Sequence, residues 1–173
     1  MAGFKESNIT LDFPTAKWFR FEKSEPYAQL SGFDFKEMDA CWYEDTEGDR
    51  DVFYAIELKD YRAVTIGDDN TVAVRKYNLV KKTVDTMQML LAAKYQTPFG
   101  EILEREKRVD LHSRPIEYYF VVIICEKTEN SLLLQSLKEV CIKALRPYMQ
   151  IWGNSHFLLM TDEQAKQRFN FVH

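Results

Sequence analysis

Asp39, Glu57 and Lys59 are the residues whose types and spacing could do chemistry together. Glu57 and Lys59 stand two apart in a β-rich run, so strand periodicity puts both on one face and Ile56 and Leu58 on the other. Upstream, Lys36 to Glu44 alternates Met38, Ala40 and Trp42 with Asp39, Cys41 and Tyr43. A polar loop, Asp45 to Arg50, joins this stretch to Asp51–Leu58 as a hairpin. Paired residues of an antiparallel hairpin have indices of constant sum. A loop centred on Gly48 makes that sum 96, which sets Asp39 opposite Glu57. Directly opposed side chains have Cβ atoms about 4.5 to 5.5 Å apart, so two carboxylates there repel unless a cation lies between them. A hard divalent ion takes such oxygen ligands together with water and substrate phosphate. It also acidifies its bound water, which is the chemistry of phosphodiester hydrolysis. Lys59 can orient the attacking water or stabilise charge gathering on phosphorus. A Glu-x-Lys strand by itself is more often an exposed edge with a marginal ion pair.

The elements that must position these groups are the hairpin and a succession of helices and strands C-terminal to it. After a turn marked by Gly67-Asp-Asp-Asn70, Tyr77, Val80, Val84, Met87 and Leu91 recur at helical spacing and predict an amphipathic helix ending before Pro98. A short charged helix is expected at Glu101–Arg108. Pro115 then introduces Ile116–Cys125, a nearly continuous apolar run typical of a central strand covered on both faces. Asn130 or Ser131 can cap the next helix, lined by Leu134, Leu137, Cys141 and Ala144 up to Pro147. A last strand, His156–Met160, meets Thr161-Asp-Glu-Gln164, which matches a capping box and opens a final helix. Between Ile9 and Phe35 the pattern is mixed: Trp18–Phe21 alternates like a strand, and Glu25-Pro26-Tyr27 reads as a turn. The expected fold is a single α/β domain over residues 1–173, a mixed sheet flanked by helices.

Asp39, the step across a hairpin, and Glu57-Leu58-Lys59 after the apolar run Val52–Ile56 resemble the PD-(D/E)XK nuclease superfamily, and residues 36–145 match that fold's order of elements. The resemblance implies a restriction-endonuclease-like fold and an Mg²⁺- or Mn²⁺-dependent nuclease acting on DNA. In it Asp39, Glu57 and the backbone carbonyl of Leu58 hold the metal, and Lys59 assists the water. Two features depart from the pattern. Met38 replaces the common proline before the aspartate, and no clear first helix carries an acid, Glu22 and Glu25 being the nearest. Polar residues of the long helix that face the site in this superfamily could be Lys81, Lys82, Asp85 or Gln88. The alternative is an inactive module of the same fold that binds a protein or nucleic-acid partner.

Charge divides along the chain: residues 1–72 hold 16 acids against 8 bases, residues 73–114 hold 5 against 9. An acidic half beside a basic middle suits a metal site next to a phosphate-binding surface, and Arg75, Lys76, Lys81 and Lys82 on the solvent side of the long helix are candidate nucleic-acid contacts. Tyr95, Tyr118 and Tyr119 could stack on bases. Specificity is expected from the chain's own loops, from homodimerisation or from a partner subunit. The histidines His112, His156 and His173 have no ligand spacing with cysteine or each other, so no zinc site is expected. Ser113, Ser131 and Ser136 lack a nucleophile elbow, and the glycines form no phosphate cradle. Cys41, Cys125 and Cys141 show no paired spacing and read as reduced. No apolar run is long enough to span a bilayer and no signal-peptide pattern opens the chain, so a cytoplasmic protein without membrane contact is expected.

Overall fold

The computed structural model describes residues 2–15, 17–62, 69–126 and 131–173. Its centre is a five-stranded mixed sheet built from β3 (Trp18–Phe19), β4 (Ala40–Glu44), β5 (Asp51–Asp60), β6 (Ile116–Cys125) and β7 (Ser155–Thr161), in that spatial order. β4 pairs antiparallel with β3 and β5, whereas β5, β6 and β7 run parallel. The parallel steps require crossovers, which α2 (Asp69–Lys94) with α3 (Pro98–Lys107), and then α4 (Ser131–Trp152), supply. The mixed α/β class is as expected.

Both faces of the sheet are buried. Phe53 and Ala55 of β5, with Tyr118, Phe120, Val122 and Ile124 of β6, meet Leu79, Met87, Leu90 and Ala93 of α2 and Leu137 and Cys141 of α4. On the reverse face, Ile56, Leu58, Val121 and Ile123 pack under Phe4, Ile9, Leu11 and Phe13. Those four belong to an N-terminal hairpin, β1 (Ala2–Glu6) and β2 (Ile9–Phe13). Its turn residues Ser7 and Asn8 both have positive φ, 52° and 63°, the backbone that a two-residue turn needs to match strand twist. The C-terminal residues close this layer: Thr10 and His173 exchange backbone hydrogen bonds, and α5 (Asp162–Arg168) lies beside them. Burial on both faces explains the unbroken apolar run of β6.

The β4–β5 register pairs Ala40 with Ile56 and Cys41 with Ala55, the index sum read from the hairpin loop. The capping box is present, with Thr161 Oγ1 accepting from the Gln164 amide and the Gln164 side chain from the Thr161 amide.

Four expectations need correction. The turn at Glu25-Pro26-Tyr27 is the first turn of α1 (Glu25–Leu30), where proline is tolerated because its missing N–H would be unpaired anyway. Trp18–Phe21 contributes only two paired residues. In α2 Met87 is buried as expected, but the buried stripe runs through Leu79, Thr83, Thr86, Leu90 and Ala93, while Tyr77 is 60% exposed and Val80, Val84 and Leu91 are half-buried. The two threonines hid that stripe. Finally, α4 passes through Pro147 to Trp152. Of the turn and cap residues read from sequence, Gly67, Asp68 and Asn130 lie outside the described residues.

Candidate functional site

Where β4 begins at Ala40, β5 continues past its partner, so the edge of Leu58 that faces β4 lacks a backbone neighbour. Side chains satisfy it. Asp39 Oδ2 accepts from the Leu58 amide at 2.8 Å, and Ser7 Oγ in the β1–β2 turn donates to the Leu58 carbonyl at 3.2 Å. A buried amide left unpaired would cost about 1 to 3 kcal/mol, so Asp39 has a structural task besides any chemical one.

Helix α2 holds the approach to Asp39. The Met38 amide donates to Thr86 Oγ1 at 3.0 Å and the Lys36 amide to Asp85 Oδ2 at 2.9 Å. One turn before Thr86, the same helix projects Lys82, whose ammonium lies 3.1 Å from Asp39 Oδ1 and 2.8 and 2.9 Å from the two Glu57 oxygens. Lys59 also ion-pairs with Glu57 Oε1. Asp39 and Glu57 thus converge on one cation, and Glu57 and Lys59 share a strand face, as their spacing implies.

That face is covered rather than open. Glu57 is fully buried and Asp39 is 7% exposed, whereas the side chains of Lys59 and Lys82 are 29% and 21% exposed. The site therefore meets solvent on its lysine side. Burial, with the Asp39 charge adding to it, pushes the Glu57 carboxyl up to about 7, against the opposing pull of Lys82 and Lys59. For Lys82, burial works to lower its basicity, and the Glu57 and Asp39 charges outweigh it, so the ammonium titrates above its ordinary range. Glu57 Oε1 is met by two ammonium groups, those of Lys59 and Lys82.

Of the four polar helix residues that could face the site, Lys82 alone reaches it. Lys81 pairs with Asp85 at 2.8 Å, Asp85 is engaged by Lys36, and Gln88 is exposed. The four bases grouped as a solvent-facing set separate: Arg75 stacks on the Tyr61 ring at 3.9 Å, Lys81 and Lys82 are ion-paired, and Lys76 is half-buried beside Tyr77, Val80 and Tyr148. Glu22 pairs with Arg20 at 3.1 Å. Tyr118 is buried and Tyr119 stacks on Tyr54 and His156, which leaves Tyr95 as the exposed one of the three tyrosines. All three cysteines are free and buried.

Sequence spacing missed the partners of His112, which the turn after α3 brings to within 3.3 Å of Glu104 and 3.4 Å of Asp110. Both acids already serve that turn, Glu104 accepting from the Leu111 amide and Asp110 from the amides of His112 and Ser113. Among the described residues, no third Asp, Glu, His or Cys joins Asp39 and Glu57 as a potential ligand.

Fold and site together define a mixed α/β protein with a buried carboxylate pair, capped by two lysines, where β4 begins beside the middle strand β5 of its central sheet. No family model, curated protein or solved structure matches the chain. No helix among the described residues is long and apolar enough to cross a membrane.

Proposed function

We propose that this chain is a metal-dependent phosphodiester hydrolase of the PD-(D/E)XK nuclease type, with DNA as its substrate. The observation that carries the reading is the single ammonium shared by Asp39 and Glu57, since a place that one cation bridges can take another. The donor set fits Mg²⁺ or Mn²⁺: two hard carboxylates, the remainder left to water and substrate oxygen. The Leu58 carbonyl accepts from the Ser7 hydroxyl, and a carbonyl oxygen has two lone pairs, in keeping with a ligand role.

When bound, the ion would supply an activated water and polarise a phosphoryl oxygen. The chain's residues do the rest. The Leu58 amide fixes the Asp39 carboxylate, the covering helix keeps bulk water from Glu57, and the partly exposed Lys59 ammonium is placed to orient the nucleophile and hold charge developing on phosphorus. The two carboxylates and two ammonium groups cancel, so a bound divalent ion gives the site a positive excess that attracts an anionic substrate.

A second reading is favoured by the same lysines. They already neutralise both acids, as they would in a nuclease-fold module that binds a partner without catalysis. Cleavage of supercoiled and linear DNA and of single-stranded RNA by wild type and Lys59→Ala, with Mn²⁺ or with chelator, separates the two. Loss of cleavage on chelation, and a drop of about 100-fold or more in Lys59→Ala, is expected for the enzyme. No cleavage of any substrate, or cleavage indifferent to both perturbations, defeats it.

A further inference from the structure

We propose that Lys82 is a built-in counter-ion, holding the place of the divalent ion in the metal-free protein and leaving it when the ion binds; this rests on the metal-site reading above. Lys82 touches both carboxylates, while Lys59 touches only Glu57. The ammonium sits 3.1 Å from Asp39 Oδ1 and 2.8 Å from Glu57 Oε1, and these distances together cap how far apart the two oxygens lie. Asp39 and Glu57 would hold Mg²⁺ or Mn²⁺ through these same oxygens, at the place where the ammonium now sits. Two cations cannot share that point: their repulsion inside a covered site is screened far less than in water.

The fold provides both the hold and the exit. Lys82 comes from a helix that also anchors residues 36–38, so its stem is positioned independently of the strand that carries Glu57. Its side chain retains 21% exposure, so the head can reach solvent without the helix moving. A lysine suits this role better than an arginine, because a flexible, strongly hydrated point charge leaves more readily than a planar fork bound at two points. The metal-free site is thereby satisfied, Lys82 supplying the ion partner of the buried Asp39 carboxylate and a second one for Glu57, and apparent metal affinity is reduced by the fraction of time that Lys82 stays in place.

The test is calorimetric titration of Mn²⁺ into wild type, Lys82→Met, Lys82→Gln and Lys59→Met, all without substrate. Lys82→Met and Lys82→Gln are expected to bind Mn²⁺ about tenfold more tightly than wild type, the factor for a place held by Lys82 nine-tenths of the time. Lys59→Met removes the same charge without vacating the bridging place, so its gain should be several-fold smaller. Should Lys82→Met be unfolded without metal, recovery of its far-ultraviolet circular dichroism on adding Mn²⁺ carries the same meaning. Wild-type affinity, or weaker, in a folded Lys82→Gln that still binds Mn²⁺ overturns the counter-ion role and leaves the metal site standing. An equal gain in Lys59→Met also overturns it, because repulsion alone then accounts for the change. Absence of Mn²⁺ binding in all four proteins removes the metal site, and the inference with it.

Discussion

Replacing Glu57 by Gln keeps the size of a fully buried side chain and removes its titration, so the substitution isolates what ionising that carboxyl does to stability. The carboxyl is raised from 4.5 to about 7, burial being the main cause. Its folded value lies above its unfolded value, so between pH 4.5 and 7 the native state holds a proton that the unfolded chain has released. Stability must therefore fall as pH rises through this window and level off above it. A shift of that size corresponds to about 3 kcal/mol, at about 1.4 kcal/mol per pH unit. Glu57→Gln should lack this loss. Its stability relative to wild type should improve by about 2.5 kcal/mol between pH 5 and pH 8, the part of the loss that falls in that interval, whatever constant offset arises from giving Lys82 one charged partner fewer. Other groups cancel in the comparison, including Asp51 and Asp110, whose lowered carboxyls act at more acidic pH. Urea unfolding of both proteins at pH 5 and 8, with chelator present and the denaturant slopes matched, measures it. Parallel pH profiles would refute the assignment of a raised carboxyl to Glu57.

Three further outcomes bear on the scaffold. Asp39→Ala should lose about 1 to 3 kcal/mol, because the Leu58 amide keeps no acceptor, and hydrogen exchange at that amide should quicken by the corresponding factor. Gly100→Ala should cost about 3 kcal/mol in thermal or urea unfolding, since a Cβ there would stand 2.1 Å from the Ala92 carbonyl oxygen, a backbone atom of α2 that cannot step aside. Thr161→Ala should cost about 1 kcal/mol, read from the urea midpoint, by removing the hydroxyl that accepts from the Gln164 amide.

The amino-acid sequence by itself determined the hairpin register, the shared face of Glu57 and Lys59, the central strand and the last helix cap. Each depends on local rules: a two-residue period, a turn between alternating runs, or a side chain that reaches a backbone group three residues on. Only the tertiary structure decided that the charged face lies under α2, that Lys82 rather than Lys81 or Gln88 enters the site, and that Ser7 meets the Leu58 carbonyl. Helical periodicity marks a stripe but not what it packs against, and in α2 the true stripe includes Thr83 and Thr86, which a hydrophobicity pattern discounts. Thr83 bonds the Leu79 carbonyl at 2.8 Å and Thr86 takes the Met38 amide, so burial suits them once the neighbouring backbone is in place. The N-terminal hairpin was illegible for a similar reason: its apolar residues gain their meaning from the reverse face of a sheet that the chain builds later, and no local pattern says which surface will need covering.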